Sequence, residues 1–482
     1  MKKITFTIIL IFQFLFFAEL FSQTPNNKFT IAWFDYFRIG TSASDLTQHY
    51  KNMQTHNMNC AISMDILLYA NTVQWRDPAY YEWASSNPSK SFLDSAHKYD
   101  IRVIMSTPEN SVIRVRPTSG NEGWYMHSCT NPIIRQQGLA YWNHPALWGI
   151  FVMDEPYNGG DLAYISPHTN DIKAFNHNLL DYVNLPFAYD GLSFNAYEQL
   201  IQDYIDDTHP SILSFDYYPI FDRPDATWRN DLFCNMDIMA RKSVENEIPF
   251  MYVFTSMGTN SLGTSYFIYP ESVTGYSVYA ALCYGAKGIA YWNSNLSSYY
   301  KMQNFSPKHK EFIKNINKRI IENEDVLLSL RFKSAYHKST ASTLRPGMDS
   351  VFTHSKWQFF ASDPLANEIF NVNNPLIALS GSSIDSLVVT FLTDKIGNRY
   401  FWLFNKSLCS TVDIQLNLKE GGSVVDVLNG ISCLPQNAEI YLDTAEGKLF
   451  KFIPNQHAPA TRTIIEGQHK KSKKPKSRKM LI

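Results

Sequence analysis

The stretch from Leu147 to Pro156 reads LWGIFVMDEP. Its first seven residues are uncharged and almost all apolar, and the acids Asp154 and Glu155 follow directly. A nearly continuous apolar run that is bounded by a proline predicts a strand buried on both faces, as in a parallel sheet. Two acids after such a strand stand at the edge of the sheet where α/β proteins bind their ligands.

Seven further apolar runs repeat this pattern as far as Trp292. Between the runs lie amphipathic stretches with helical spacing, such as Ile172–Val183 and Glu271–Tyr284. Eight strands that alternate with helices predict the α/β class and a (β/α)8 TIM barrel over residues 23–330, with a doubly wound sheet as the alternative. The predicted strands are Phe29–Phe34, Cys60–Ile66, Ile101–Ser106, Leu147–Met153, Pro186–Tyr189, Ile212–Tyr217, Pro249–Phe254 and Gly288–Trp292.

The helical period stops at Leu330. Short apolar segments separated by turns, among them Tyr400–Phe404 and Leu449–Phe452, follow it. This pattern predicts an all-β sandwich over residues 331–455. Residues 456–482 are polar and strongly basic, and this composition predicts a disordered tail.

The first 22 residues have the composition of a secretory signal peptide. Lys2 and Lys3 precede an apolar stretch, and Glu19 and a polar segment end it. A membrane anchor needs roughly 20 apolar residues, and this stretch is shorter. We therefore predict cleavage after Ser22, a secreted or periplasmic protein, and no stable insertion into a membrane.

The charge balance argues against a nucleic-acid partner. The chain has 43 basic and 44 acidic residues, and the segment 470–479 alone carries seven of the basic ones. The rest of the chain is acidic, which is the wrong sign for binding a phosphate backbone. Aromatic residues make up 15% of the chain, which fits a sugar-stacking site or a large aromatic core equally well. The six cysteines form no CxxC pair, so we expect neither a metal cluster nor a cofactor.

The carboxyl ends of the predicted strands carry acids and aromatic residues but no histidine cluster and no lysine. In a barrel these ends meet at one face, where the active site lies. Carboxylates beside aromatic rings suit the protonation of a glycosidic oxygen and the stabilisation of a cationic sugar. The candidate site residues are Asp35, Asp65, Asp154, Glu155, Asp216, Tyr217, Tyr218 and Trp292.

Glu155 and Asp216 are the predicted catalytic pair. Each follows an apolar run, and an aromatic-walled pocket raises the pKa of a carboxyl group, which suits a general acid. Side chains alternate along a strand, so we expect Asp154 and Glu155 to face opposite ways, one into the pocket and one towards a neighbouring segment. Asp154 is then a substrate-binding candidate. The alternative is that these acids are solvated loop residues or structural partners of loop amides.

The remaining candidates are predicted to bind substrate. Trp292 offers a flat apolar face to a sugar ring, although core packing would explain it equally well. Tyr217 and Tyr218 either hydrogen-bond the substrate or wall the barrel. Asp35 and Asp65 lie where rim acids bind sugar hydroxyls, but acids in such loops also serve solubility.

The segment Leu147–Pro156 resembles the fourth strand of the clan A (β/α)8 glycoside hydrolases, in which a glycine-containing apolar strand ends in Asn-Glu-Pro. Gly285–Trp292 resembles the eighth strand of the β-galactosidase-like members. Leu442–Phe450 is similar to the closing strand of sandwich domains that are appended to such barrels. The resemblance implies that Glu155 is the acid/base residue.

Two positions depart from that family. Asp154 stands where the family has asparagine. The predicted seventh strand, Met251–Met257, ends without the glutamate that is the family's nucleophile. Asp216 is the best substitute, because barrels that resemble the α-galactosidases use carboxylates on strands four and six.

The sequence therefore predicts an exported glycoside hydrolase that cleaves O-glycosidic bonds of an oligo- or polysaccharide. Glu155 is expected to be the general acid and Asp216 the nucleophile or base. The alternative is a non-catalytic carbohydrate-binding barrel, which the missing strand-seven acid favours. A polysaccharide lyase fits least, because the strand ends offer no basic residue. The sequence leaves the sugar, the linkage and the oligomeric state open.

Overall fold

A computed structural model of the chain describes residues 28–35, 43–63, 88–106, 113–115, 125–127, 142–156, 159–188, 194–218, 232–259, 266–292, 305–337, 377–382, 386–418, 421–434 and 437–454. Eight parallel strands form a closed barrel. They are β1 (Thr30–Asp35), β2 (Cys60–Ser63), β3 (Arg102–Met105), β4 (Leu147–Asp154), β5 (Leu180–Leu185), β6 (Leu213–Asp216), β7 (Phe250–Thr255) and β8 (Gly288–Trp292).

Each barrel strand pairs with the next one in the chain, and β1 closes the barrel against β8. This closure confirms the predicted (β/α)8 barrel, and it excludes the doubly wound sheet, whose edges stay open. Two short antiparallel hairpins follow β3 and β7. They pair Ile113–Val115 with Tyr125–His127, and Met257–Thr259 with Tyr266–Ile268.

Helices follow seven of the eight strands in the described ranges. None of these helices has the length and apolar character needed to cross a bilayer. They are α1 (Ala43–Thr55), α2 (Pro88–His97), α3 (Gly159–Phe175), α4 (Phe194–Thr208), α5 (Leu232–Asn246), α6 (Glu271–Cys283), α7 (Pro307–Glu322) and α8 (Glu324–Ser329).

Helix α7 shows how the sequence sets these elements. Ser306 caps its N-terminus by accepting a hydrogen bond from the backbone N–H of His309, which satisfies one of the unpaired donors of the first turn. Ile313, Ile316 and Ile320 recur at helical spacing and are buried. One apolar stripe therefore fixes this helix against the outside of the barrel.

The barrel interior is a packed apolar core. Gly149 lets β4 and β5 approach closely, since a Cβ atom there would lie 2.7 Å from the Leu180 Cβ. Trp292 packs against this core from the carboxyl end of β8. The buried interior residues are Ala32, Phe34, Cys60, Ile62, Ile104, Trp148, Phe151, Leu180, Tyr182, Ile212, Met251, Val253 and Ala290.

The fifth strand lies at Leu180–Leu185, so the prediction of Pro186–Tyr189 was wrong. The predicted helix Ile172–Val183 was also too long, because α3 ends at Phe175. Asp181 and Asn184 interrupt the apolar pattern of the true strand. Both are fully buried, and Asp181 forms an ion pair with Lys173 over 3.1 Å. Partners from other elements therefore stabilise polar residues that, taken locally, argue against a strand.

The C-terminal part is an all-β sandwich, as predicted. Its strands are antiparallel, and they form a six-stranded sheet in the order β9-β11-β12-β17-β14-β15 and a three-stranded sheet in the order β10-β13-β16. These strands are β9 (Arg331–His337), β10 (Ile377–Ser382), β11 (Leu387–Thr393), β12 (Arg399–Asn405), β13 (Val412–Leu418), β14 (Ser423–Asp426), β15 (Ile431–Leu434), β16 (Asn437–Leu442) and β17 (Gly447–Ile453).

Helix α6 of the barrel packs directly on the six-stranded sheet. The ring centroids of Tyr276 and Phe404 are 5.6 Å apart, and those of Tyr279 and Trp402 are 6.2 Å apart. Gly447 allows this approach, because a Cβ atom there would lie 2.7 Å from the Tyr279 ring. The junction between barrel and sandwich is therefore a continuous aromatic core.

Candidate active site

Asp154 and Glu155 lie at the carboxyl end of β4, and both face the residue that ends β6. Asp154 is the last residue of the strand. Glu155 follows it with a φ of 47°, the left-handed conformation that side chains rarely adopt. Its backbone N–H donates to the backbone oxygen of Asn184 over 2.7 Å. Glu155 lies beyond the strand, so the alternation of side chains along β4 does not decide its direction.

Asn184 on β5 connects three strand ends, and sequence reasoning did not single it out. Its side-chain amide donates to Asp154 Oδ1 over 3.0 Å. Its side-chain oxygen accepts from Ser214 Oγ over 3.2 Å, and this hydroxyl also contacts Tyr182 Oη at 2.8 Å. This hydrogen-bond network fixes the orientation of the Asp154 side chain. The sequence feature that could have identified Asn184 is its polar side chain within the strand LDYVNL.

Asp216 ends β6 inside the barrel mouth. Its side chain is only 4% exposed. Tyr218 donates its phenolic proton to Asp216 Oδ2 over 2.9 Å. The other oxygen, Oδ1, receives no hydrogen bond from the described residues. A buried carboxyl oxygen without a donor favours the protonated form of the group.

The surroundings of Asp216 raise its pKa well above its usual range. Burial is the main cause, and the charges of Glu155 and Asp154 add to it. The hydrogen bond from Tyr218 acts in the opposite direction. Contact with the Glu155 side chain raises the pKa of Asp216 further. Asp216 therefore holds its proton to a higher pH than an ordinary carboxyl group does.

Trp292 and Tyr218 form an aromatic pair beside these acids. Their ring centroids are 4.8 Å apart and their planes differ by 22°. Both side chains are partly exposed. The pair combines a stacked aromatic surface with the hydroxyl that binds Asp216, so it connects the wall of the site to its acid.

Tyr217 lies outside this group of residues. Its side chain has no exposed surface, and its ring contacts Phe187 edge-on with centroids 5.2 Å apart. Its backbone oxygen accepts a hydrogen bond from Tyr252 Oη over 2.7 Å. The structure therefore places Tyr217 in the wall of the barrel.

Two of the predicted substrate-binding acids cannot be placed relative to the pair. Asp35 is the last residue of β1, in register with Ser63, but its side chain is not among those described. Asp65 falls outside the described residues.

Strand β7 ends at Thr255 and Ser256 follows it, and both residues are buried. Ser256 Oγ accepts a hydrogen bond from Thr274 Oγ1 over 3.0 Å. Helix α6, which carries Thr274, is therefore hydrogen-bonded to the residue that follows β7. Within the described ranges, no three His, Cys, Asp or Glu side chains are grouped to hold a metal ion.

Solved structures of similar fold include glycoside hydrolases. A β-galactosidase from the psychrophilic Marinomonas ef1 is 10% identical with a TM-score of 0.44, and the match covers 62% of this chain and 62% of that one. A β-L-arabinopyranosidase from Geobacillus stearothermophilus is 9% identical with a TM-score of 0.47, over 90% and 98%. A protein described as a glycoside hydrolase is 10% identical with a TM-score of 0.49, over 88% and 92%.

The chain thus spans less than two thirds of the length of that β-galactosidase. No protein-family model matches the chain, and no curated protein matches it.

Proposed function

We propose that the protein is a glycoside hydrolase whose catalytic groups are the carboxyls of Glu155 and Asp216. The observation that carries the proposal is the closeness of Glu155 to the buried Asp216 at the carboxyl end of the barrel, where Glu155 raises the pKa of Asp216, beside the Tyr218–Trp292 pair. Glycoside hydrolysis needs two carboxyl groups that differ in protonation, together with a surface that holds a sugar ring. These residues supply both.

The burial of the two acids suggests roles opposite to those expected from the sequence. Asp216 is the more deeply buried acid and its pKa is raised, so it keeps its proton to a higher pH than an ordinary carboxyl group does. Glu155 is partly exposed. We therefore assign Asp216 as general acid and Glu155 as the carboxylate that acts on the sugar.

The hydrogen bond from Tyr218 identifies the reacting oxygen of Asp216. Oδ2 accepts from Tyr218, which leaves Oδ1 to carry the proton. Oδ1 would give this proton to the glycosidic oxygen while the bond to the anomeric carbon breaks. The closeness of the two side chains favours attack by Glu155 and retention of configuration, since inverting enzymes hold their carboxyls far enough apart for a water molecule. Asp216 would then take a proton from the water that releases the sugar.

Asp154 and Trp292 are the proposed substrate-binding residues of this site, with Asp35 and Asp65 kept as predictions. The Asn184 amide positions the Asp154 carboxylate, which would accept a hydrogen bond from a sugar hydroxyl. Trp292 would hold the apolar face of the sugar ring.

The experiment is a screen of aryl and natural glycosides with the purified protein, followed by NMR of the first-formed anomer. Glu155→Gln and Asp216→Asn should each abolish most of the activity found. Asp207→Asn changes an exposed acid on α4 and serves as the matched control with parental activity. Full activity in both site variants would refute the proposal.

The alternative function is a non-catalytic carbohydrate-binding barrel. Thr255 and Ser256, at the end of β7, favour this alternative. The glycoside hydrolases that the sequence resembles carry their nucleophilic glutamate at the end of that strand. This alternative predicts that sugars bind to the protein, that Trp292→Ala weakens the binding, and that no glycoside is cleaved.

We also propose export from the cytoplasm, on the strength of the leader sequence at residues 1–22. N-terminal sequencing of the protein recovered from the periplasm or medium should begin at Gln23. Recovery of the uncleaved chain from the cytoplasm would contradict export.

A further inference from the structure

A cavity lies at the end of the barrel opposite to the carboxylate pair. Its volume is about 800 Å³, within the range of small-molecule sites. It is bounded by the C-terminal ends of α4 and α5, the start of β7, helix α8 and the start of β9. It therefore lies where the barrel meets the sandwich. The length of a six-residue strand, about 20 Å, separates it from the carboxylate pair.

Lys287 is a partly buried cation of the cavity lining. The other acidic and basic residues of the lining are Asp206, His209, Glu247, Asp325, Arg331 and Lys395. Lys287 Nζ donates to the backbone oxygens of Leu327 and Leu330 over 2.7 Å and 2.5 Å. No carboxylate of the described residues lies within ion-pair distance of it. An ammonium group has three donors, so one remains for a further acceptor.

The electrostatic environment of Lys287 favours an incoming anion. Burial lowers the pKa of Lys287 to about 7, and the nearby positive charge of Arg331 contributes in the same direction. An anion placed between the two cations would counteract both effects by its charge and favour the charged form. Arg331 contacts Glu247 at 3.6 Å, and both side chains are about half exposed at 42% and 50%. This exposed pair is weak and leaves Arg331 able to bind a second partner.

The rest of the lining is apolar inside and mixed in charge at the rim. Val244, Ile248 and Leu328 are partly exposed and line the cavity. The acids of the lining, Asp206, Glu247 and Asp325, are exposed, so water screens them more than it screens Lys287.

We propose that this cavity binds a small organic carboxylate with an apolar body. The carboxylate would lie between Lys287 and Arg331, and the apolar body would lie along Val244, Ile248 and Leu328. Such a ligand would bridge the barrel and the sandwich, because Lys287 precedes β8 and Arg331 begins β9. The proposal does not depend on glycosidase activity.

Titration calorimetry of the mature protein with sodium benzoate tests this site. Benzyl alcohol is the neutral probe of the same shape, and inorganic phosphate is the anion without an apolar body. We expect benzoate to bind at least tenfold more tightly than either. In buffers that differ in ionisation enthalpy, binding should take up protons, and the uptake should be larger at pH 8 than at pH 6.

Three variants identify the groups responsible. Lys287→Met should weaken benzoate binding at least tenfold and remove the proton uptake. Val244→Trp fills the apolar part of the cavity and keeps Lys287 in place. It should also abolish benzoate binding. Two variants with different changes ensure that the test does not depend on the stability of one of them. Lys333→Met removes an exposed lysine of β9 outside the lining and should leave binding unchanged.

Benzyl alcohol or phosphate binding as tightly as benzoate would overturn the proposal. So would a lack of benzoate binding at millimolar concentration, or binding that survives both Lys287→Met and Val244→Trp. The glycoside screen is a separate measurement, so failure of either proposal leaves the other standing.

Discussion

The backbone oxygen of Asn184 accepts the backbone N–H of Glu155 over 2.7 Å, and this contact accompanies the left-handed turn that follows β4. The side chain of the same asparagine binds Asp154. One residue on β5 therefore positions both acids at the end of β4. The third acid, Asp216, ends the next strand around the barrel, which brings the three carboxyl groups together.

Asn184→Ala should lower kcat roughly 10²-fold, because a small displacement of catalytic groups has effects of that size. It removes the side-chain contacts with Asp154 and Ser214 and leaves buried groups without partners, at a cost of about 1–3 kcal/mol of unfolding free energy. Steady-state kinetics and urea denaturation measure the two effects.

Asn317→Ala is the matched control. Asn317 is also fully buried and bonds Tyr291 Oη and the His56 backbone oxygen, but it lies between α7 and the barrel wall. The Asn317→Ala variant should be less stable than the parent protein but have the same kcat per folded molecule. An equal fall in kcat for both variants would show that Asn184 acts through stability alone.

Tyr218→Phe should move the alkaline limb of the kcat/KM profile to higher pH. The hydrogen bond from Tyr218 lowers the pKa of Asp216, so its removal raises that pKa and keeps the general acid protonated over a wider range. The phenyl ring keeps the stack with Trp292. A limb that stays in place, or one that moves to lower pH, would contradict the role given to Asp216.

Asp216→Asn should gain stability relative to the parent as the pH rises. The pKa of Asp216 is raised above its ordinary 3.8 in the folded protein, so between the two values the folded state binds more protons than the unfolded state. The parent therefore loses stability with increasing pH across that interval, by at most about 1.4 kcal/mol per pH unit. Urea denaturation at pH values from 4 to 8 should show a widening difference in favour of the variant. A constant difference would mean that Asp216 ionises normally.

Trp292→Ala should raise KM roughly tenfold, since a stacking contact of about 1.4 kcal/mol corresponds to that factor. Trp292→Phe keeps an aromatic face and should recover part of the loss. An unchanged KM with a large fall in kcat would show that Trp292 orders the catalytic carboxyls instead of holding the sugar.

The sequence predicts the barrel well because seven of its eight strands are apolar runs that a local window detects. Strand β5 escapes such a window. Asp181 and Asn184 have their partners on α3, β4 and β6, and a pattern read along the chain does not contain those contacts. The same limit explains the conformation of Glu155, because the oxygen that binds its N–H belongs to a residue on the neighbouring strand.

The positions of the candidate acids were predictable, but their relative protonation was not. Strand ends identify Glu155 and Asp216, since barrel sites lie there. Which acid holds the proton depends on burial and on the partner of each oxygen, and these follow from the packing of Tyr218 and the three strand ends.

The most direct test of the catalytic pair compares two leaving groups on the sugar that the screen identifies. Activity of Asp216→Asn and Glu155→Gln is measured on the alkyl glycoside and on the 2,4-dinitrophenyl glycoside. If Asp216 is the general acid, Asp216→Asn loses roughly 10²–10⁴-fold on the alkyl glycoside and far less on the dinitrophenyl glycoside, whose leaving group needs no proton. Glu155→Gln loses activity on both. The reverse pattern, or parental activity of Asp216→Asn on the alkyl glycoside, would contradict this account.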